Sequence, residues 1–245
     1  MISARVEELR QTRERFPSTR WSLIFSAQDR DAVESQDALN EICKRYWRPA
    51  LLFVCRRGYS PSQAEDLVQE FFISISQGKL LGAATPARGR FRSLLLKSLQ
   101  NFLLDAKAYS QREKRGGRFS FVSWDACKVN IPSSCSAEAA YDSEWAITIA
   151  EEATRRLREE CESKGQRWIF EELVGYLDVE RNEVSYRALS AQLCIPEKTV
   201  KHLLHEFRKR YRSLLIEEVA ETLEDRADVG DELRYLCDAL SRVAV

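Results

Sequence analysis

Glycine and proline are scarce in this chain of 245 residues, which contains nine of the first and six of the second. Both residues are needed in the many turns of a β fold, so their scarcity favours a helical protein. Histidine is scarcer still, with only His202 and His205, and no cluster of cysteine or carboxylate residues accompanies them to complete a metal site. We therefore expect an all-α protein that binds neither a metal ion nor a cofactor.

The chain also lacks the cysteine spacing of a disulfide framework. Its seven cysteines are an odd number, and no two of them stand at CxxC spacing. No apolar run approaches the ~20 residues that a membrane span needs, and the segment MISARVEELRQTRERF lacks the apolar core of a signal peptide. These absences predict a cytoplasmic protein with reduced thiols and no membrane association.

What the chain does have is charge gathered into two opposed blocks. Its 38 basic and 38 acidic residues cancel overall. Residues 88–118 contain nine basic and two acidic residues, a net charge of +7, whereas residues 217–238 contain nine acidic and two basic residues, a net charge of −7. Because a polyanion responds to the local field, the basic block is a candidate nucleic-acid surface.

Helical periodicity runs through most of the sequence, and the segment SPSQAEDLVQEFFISI shows it clearly. Ser60 and Gln63 are spaced as a capping box, and Pro61 fits the first turn of the helix that they begin. Apolar residues then recur at helical spacing from Ala64 to Ile75 and form a stripe that must pack inward. Taken alone, the opposite face is either solvated surface or a docking surface. That face carries Asp66, Gln69, Glu70 and Ile73.

The next helical segment, RGRFRSLLLKSLQNFLLDAKAYSQREKR, is basic and has aromatic and amide side chains among its charges. Its apolar residues are spaced to face a core, which leaves Lys97, Asn101 and Asp105 together on another face. Single-stranded DNA binders have this composition, because cations follow the phosphates and rings stack on the bases. A solvated basic surface is the competing interpretation of this helix taken alone.

A helix-turn-helix pattern occupies SYRALSAQLCIPEKTVKHLLHEFRKRYRSLL. The first helix is predicted over residues 185–192, and Pro196 stands at the threshold of the second helix, where its fixed φ is tolerated. Cys194 occupies a turn position where glycine is common. The second helix has one apolar seam, from Val200 to Leu214, for the core. The cations and histidines outside that seam are candidates for contact with the DNA major groove: Lys198, Lys201, His202, His205, Arg208, Lys209 and Arg212.

The order of these segments resembles bacterial sigma factors of the extracytoplasmic-function group, and within it a large-linker branch that has an N-terminal TRWSL segment. The resemblance is carried by TRWSLI, YWRPALLFVCRRGYSPSQAEDLVQEFFISI, GRFRSLLLKSLQNFLLDAKAYSQREKRGG and the helix-turn-helix segment, which together span well over half of the chain. AEDLVQEFF and FRSLLLKSLQNFLLD are its most specific parts. The chain departs from the family pattern where leucine replaces a tryptophan early in the basic helix, and at Glu206, where a cation is common.

The resemblance implies two helical domains, one that melts the promoter and one that binds its upstream element. Residues 1–118 would form the melting domain, and residues 119–164 a partly helical linker. Residues 165–216 would form the helix-turn-helix domain, and residues 217–245 an acidic helical tail.

The resemblance also implies roles for the candidate residues. Asp66, Gln69 and Glu70 would dock on core RNA polymerase. The loop before the basic helix would capture an extruded base of the minus-ten element together with Asn101, whose amide suits a Watson–Crick edge. The minus-ten candidates are Arg90, Phe91, Arg92, Lys97, Asn101, Lys107, Arg112 and Arg115. The minus-thirty-five candidates are Lys198, Lys201, His202, His205 and Arg208.

We therefore expect a sigma factor that binds core RNA polymerase and promoter DNA and catalyses nothing itself, since the chain has no glycine-rich phosphate loop and no nucleophile–base–acid set. The alternative is a stand-alone, dimeric helix-turn-helix regulator that binds a palindromic duplex site. What would regulate such a sigma factor is left open: an anti-sigma factor, a kinase or the acidic tail. The tail is interpreted either as a solubilising segment or as one that folds back on a basic DNA-binding face and restrains it.

Overall fold

The structure, a computed structural model, describes residues 24, 27, 33–77, 90–113, 135–180, 182–220, 222–223 and 228–241. Within these ranges the protein has eight α-helices and no strand, which confirms the all-α prediction for this part of the chain. The helices are α1 (Val33–Arg56), α2 (Pro61–Ser76), α3 (Phe91–Glu113), α4 (Ala137–Ser163), α5 (Arg167–Leu173), α6 (Tyr186–Leu193), α7 (Glu197–Ala220) and α8 (Val229–Ser241), with a 3-10 turn at Val174–Tyr176.

Several predicted segments lie outside the described residues. They are the TRWSL segment, the loop before the basic helix over residues 78–89, residues 119–134 of the predicted linker, and Arg115.

The chain divides into two compact units. The first unit consists of Met1–Ala146 together with Ala220–Val245, and the second unit is Ile147–Val219. Residues 137–163 of the predicted linker form the single helix α4, and the acidic segment contributes α8 to the first unit.

The core of the first unit forms where α1, α2 and α3 turn their apolar stripes inward. The ring of Tyr46 on α1 meets that of Phe91 on α3 with centroids 5.5 Å apart, and the ring of Phe71 on α2 lies 5.6 Å from that of Phe102 on α3. Apolar residues of α1 are buried in this core. They include Leu39, Ile42, Tyr46, Leu52 and Phe53.

The start of α2 confirms the predicted capping box. The backbone N–H of Gln63 donates to the Ser60 hydroxyl over 3.4 Å, and the backbone N–H of Ser60 donates to Gln63 Oε1 over 3.1 Å. Both donors would lack partners within the helix, so this reciprocal pair fixes where α2 begins and which face it turns outward.

The second unit contains the predicted helix-turn-helix as α6 and α7. Leu189 of α6 and the predicted seam of α7 are buried in one core, with Tyr211 packed at its edge. Cys194 closes α6 in the left-handed region, at φ 53° and ψ 36°, and its N–H donates to the carbonyl of Ser190. A residue other than glycine in this conformation costs on the order of 1 kcal/mol, so the turn is built with some strain.

Candidate nucleic-acid and partner interfaces

The outer face of α2 is the set of exposed side chains opposite the buried stripe. Ala64, Val68 and Ile75 pack inward. The outer face consists of Asp66, Gln69, Glu70 and Ile73. Ile73 is 50% exposed, so the surface combines two carboxylates, an amide and an apolar side chain. This composition suits a protein partner that offers both cations and apolar contact.

The polar face of α3 is formed by Lys97, Asn101 and Asp105, which follow one another at four-residue spacing and are all exposed. Leu95 and Leu99 on the same helix are buried. The structure thus places an amide between a cation and a carboxylate at the surface of the first unit, and an amide can pair with the edge of an unstacked base.

Two of the other minus-ten candidates lie inside the first unit instead. Phe91 packs on Tyr46 and is 3% exposed, and Arg92 is 5% exposed. Lys107 is exposed near the far end of α3. Arg112 lies in α3 with a side chain that the structure does not describe. The exposed candidates are therefore Lys97, Asn101 and Lys107, and Arg90 is partly exposed just before α3.

Arg92 is held by aromatic rings and carboxylates. Its guanidinium carbon lies 5.0 Å from the ring centroid of Trp145 and 4.8 Å from that of Tyr235. Its Nη1 contacts Asp142 Oδ1 and its Nη2 contacts Glu232 Oε1, each over 3.2 Å. These contacts compensate a buried cation by charge and by the negative faces of two rings.

Glu232 of α8 is the second acid of this cluster and is fully buried. Its carboxylate forms ion pairs with both arginines, with Oε2 2.7 Å from Arg90 Nη1 and Oε1 3.2 Å from Arg92 Nη2. Two guanidinium groups and two carboxylates thus balance in charge at the start of α3. Both arginines are candidates from the sequence, whereas Glu232, Asp142 and Tyr235 are not. The acidic block is a signal for Glu232 alone, since Asp142 lies outside that block and Tyr235 carries no charge.

A cavity of about 350 Å³ opens beside this cluster. Its walls include Arg90 and Lys97 from the start of α3 and Tyr235 from α8. Tyr141 lines it too, and its hydroxyl donates to the carbonyl of Arg92 over 3.3 Å. Burial raises the pKa of the Tyr141 hydroxyl well above its usual range, so it remains a neutral donor.

The outward face of α7 in the second unit presents the predicted major-groove candidates, with one exception. The exposed members are Lys198, Lys201, His202, His205, Lys209 and Arg212. Arg208 is half-buried and donates from Nε and Nη2 to the carbonyl of Tyr176, and from Nη2 also to that of Val179. Its guanidinium therefore ties α7 to the end of the 3-10 turn.

Acidic neighbours reduce the net positive charge of this outward face. Lys201 pairs with Glu197 over 2.7 Å. Glu206, the residue that departs from the family pattern, lies 3.9 Å from His205 and 3.8 Å from Lys209. These exposed pairs are weak and are screened by salt, so a phosphate can compete for the same cations.

A second ion network lies on the other side of α7, where Arg210 pairs with Glu160 and Glu217, and Arg156 pairs with Glu217 and Glu218. Hydrogen bonds from Arg210 lower the pKa of Glu160. These arginines join α4 to α7 within the second unit and are distinct from the outward face.

Within the described ranges, no three His, Cys, Asp or Glu side chains gather into a group that could hold a metal ion. Over the same ranges, no helix combines the length and the apolar character needed to cross a membrane. A scan against protein-family models and searches of curated proteins and of solved structures found no match to this chain.

Proposed function

We propose that this protein is a sigma factor of the extracytoplasmic-function type, which binds core RNA polymerase and directs promoter recognition and transcription initiation. The observation that supports the proposal most is that α2 and α3 bury their apolar stripes in one core while each keeps a polar face in solvent. One face has the composition of a protein-docking surface and the other that of a base-binding surface. The resemblance in AEDLVQEFF and FRSLLLKSLQNFLLD supports the same assignment.

In this proposal, binding energy rather than chemistry opens the promoter. Asn101 would pair with the edge of a base that has left the duplex, and Lys97 would contact the adjacent backbone. Because these contacts exist only with an unpaired strand, they favour the melted state over the duplex. Bond formation between nucleotides belongs to the polymerase.

The second unit would supply recognition of double-stranded DNA. The second helix of a helix-turn-helix enters the major groove with its exposed side chains, and α7 offers lysine, histidine and arginine there. Lysine contacts to phosphate would give affinity, whereas His202 and His205 would contact base edges. Arg208 acts in this account as a structural tie, because its donors are engaged by backbone carbonyls.

The direct test is a pull-down with core RNA polymerase followed by run-off transcription on genomic fragments. We expect the purified chain to join the core enzyme as a monomer and to start transcription at discrete sites. A dimer that ignores the core enzyme but binds a palindromic duplex would instead establish the stand-alone regulator.

The docking assignment is tested by the double variant Asp66→Lys and Glu70→Lys. Charge reversal on the outer face of α2 should weaken co-purification with core RNA polymerase about 100-fold, since opposed like charges at an interface cost several kcal/mol. Glu180→Lys with Glu183→Lys makes the same charge change at two exposed positions of the second unit and is the matched control. Equal retention of both double variants would remove the docking assignment.

A further inference from the structure

Helix α8 is built into the first unit along one continuous face. Val229, Glu232, Leu236 and Ala239 recur at helical spacing and are all buried. The carbonyl of Ala239 also accepts a hydrogen bond of 2.9 Å from the buried hydroxyl of Ser143 on α4. An acidic segment that served only solubility would keep its carboxylates in water, so the full burial of Glu232 calls for a different role.

The two arginines that Glu232 binds differ in exposure. Arg92 is buried among rings and carboxylates, whereas the side chain of Arg90 is 36% exposed. The contact between Arg90 and Glu232 is made by Nη1, and a guanidinium has five N–H donors in a planar fork. One edge of Arg90 can therefore be fixed by the carboxylate while other donors face a second anion.

The cavity beside Arg90 shows where that anion would lie. Arg90 and Lys97 both line it, and Lys97 belongs to the polar face of α3 next to Asn101. A backbone phosphate at this place would meet two cations on the strand that the polar face is proposed to hold.

We propose that Glu232 is a positioning residue for DNA binding: it holds Arg90 in the orientation that meets a backbone phosphate of the melted strand, and α8 is a working part of the DNA-contacting unit. The inference rests on the proposed function. Arg92 is then a buried anchor between α3, α4 and α8, and it does not contact DNA.

The burial of Glu232 and Arg92 favours a role for α8 in positioning Arg90 over a role in restraining DNA binding. A segment that restrains DNA binding has to leave before DNA can bind. The departure of α8 would return a fully buried carboxylate to water and leave Arg92 without one of its two carboxylates and without the ring of Tyr235. The loss of one partner from a buried ion pair is strongly unfavourable, so a displaceable restraint is the weaker account.

The test is Glu232→Gln, because the two accounts predict opposite signs. Removal of a negative charge would by itself strengthen the binding of a polyanion, and removal of a restraint would do the same. Loss of positioning instead weakens binding, by about tenfold for the loss of one well-oriented contact between Arg90 and a phosphate. Run-off transcription first identifies a promoter. The measurement is then the affinity of the polymerase complex for a fragment of that promoter with a melted segment. Asp238→Asn removes the same charge from the exposed side of α8 and should leave the affinity unchanged or slightly higher.

A double-mutant cycle with Arg90→Ala separates positioning from a general effect on folding. If Glu232 acts through Arg90, Glu232→Gln should have no further effect on DNA affinity in the Arg90→Ala background, while its effect on thermal unfolding persists. Additive effects on DNA affinity, or a gain in affinity with Glu232→Gln, would overturn the proposal.

A disulfide offers a second route that stays informative if Glu232→Gln does not fold. Ser143→Cys with Ala239→Cys would join α4 to α8 where the hydroxyl of Ser143 already contacts the carbonyl of Ala239. Positioning predicts that the oxidised protein keeps its DNA affinity, with the oxidised wild type as control. A loss that reductant reverses would establish restraint. If wild type shows no polymerase-dependent DNA binding, the proposed function itself fails, and this inference fails with it.

Discussion

The cations at the start of α3 and those on the outward face of α7 differ in what holds them. At the start of α3, Arg92 is buried and Arg90 is half-buried, and carboxylates compensate both. Along α7 most cations stay on the surface, with only weak exposed pairs at Lys201 and Lys209. The difference shows that the number of positive charges in a helix does not measure what it offers to DNA. A cation is fully available to DNA only where no distant segment of the chain places a carboxylate against it.

The same comparison separates structural from binding arginines. Arg92 and Arg208 are both turned inward, but carboxylates and aromatic rings hold the first, whereas the backbone carbonyls of Tyr176 and Val179 hold the second. Both join helices within their own unit. The exposed candidates for DNA contact are lysines, two histidines, one amide and Arg212.

The largest expected effect is the difference in the free energy of unfolding between a variant of a buried cation and a variant of an exposed one. Arg92→Ala leaves Glu232 and Asp142 without a shared cation in a buried place, which should cost about 3–5 kcal/mol in the free energy of unfolding. Lys201→Ala removes an exposed cation of α7 and should change that free energy by less than about 0.5 kcal/mol. Urea unfolding measures both. Similar losses for the two variants would show that the inward and outward cations do not differ as described.

A second prediction sharpens the division between melted and duplex DNA. Asn101→Ala should reduce open-complex formation about tenfold and leave duplex binding nearly unchanged, because the amide is proposed to meet only an unpaired base. His202→Ala on α7 should do the reverse. Permanganate reactivity of unpaired thymines and gel-shift affinity for the duplex measure the two steps. If Asn101→Ala lowers both equally, the base-pocket role is refuted.

The smallest expected effect concerns the turn that sets α7 against α6. Cys194→Gly should stabilise the second unit by about 1 kcal/mol, because glycine adopts the left-handed conformation without the steric cost that a Cβ atom adds. Cys194→Ala retains that cost and is the matched control. Thermal unfolding of the two variants provides the measurement, and equal melting temperatures would show that the turn is not strained.

Local sequence patterns predicted much of the fold. The capping box at Ser60, the inward stripe of α2 and the seam of α7 each depend on residues a few positions apart, so periodicity was enough to find them. The polar face of α3 follows from the same spacing rule. Cys194 is a further case, since its glycine-like position in the pattern is matched by a left-handed backbone.

Contacts between distant segments could not be predicted in this way. The partner of Arg90 and Arg92 stands on α8, and the charge blocks suggested only that the segments attract, not which acid would be buried. The carbonyls that hold Arg208 belong to Tyr176, at the end of the 3-10 turn, and to Val179, and neither residue carries a charge that the sequence could signal. The candidate list therefore included arginines whose surroundings depend on the tertiary fold.

The assembly of the first unit from two separated stretches of chain affects the timing of its folding during synthesis. Asp142 and Arg92 leave the ribosome well before Glu232 exists, and the whole second unit is translated in between. At roughly 5–20 residues per second, the nascent protein carries an unfinished ionic cluster for several seconds. During that interval Arg92 depends on Asp142 and Trp145 alone, until α8 brings Glu232 and Tyr235 to it.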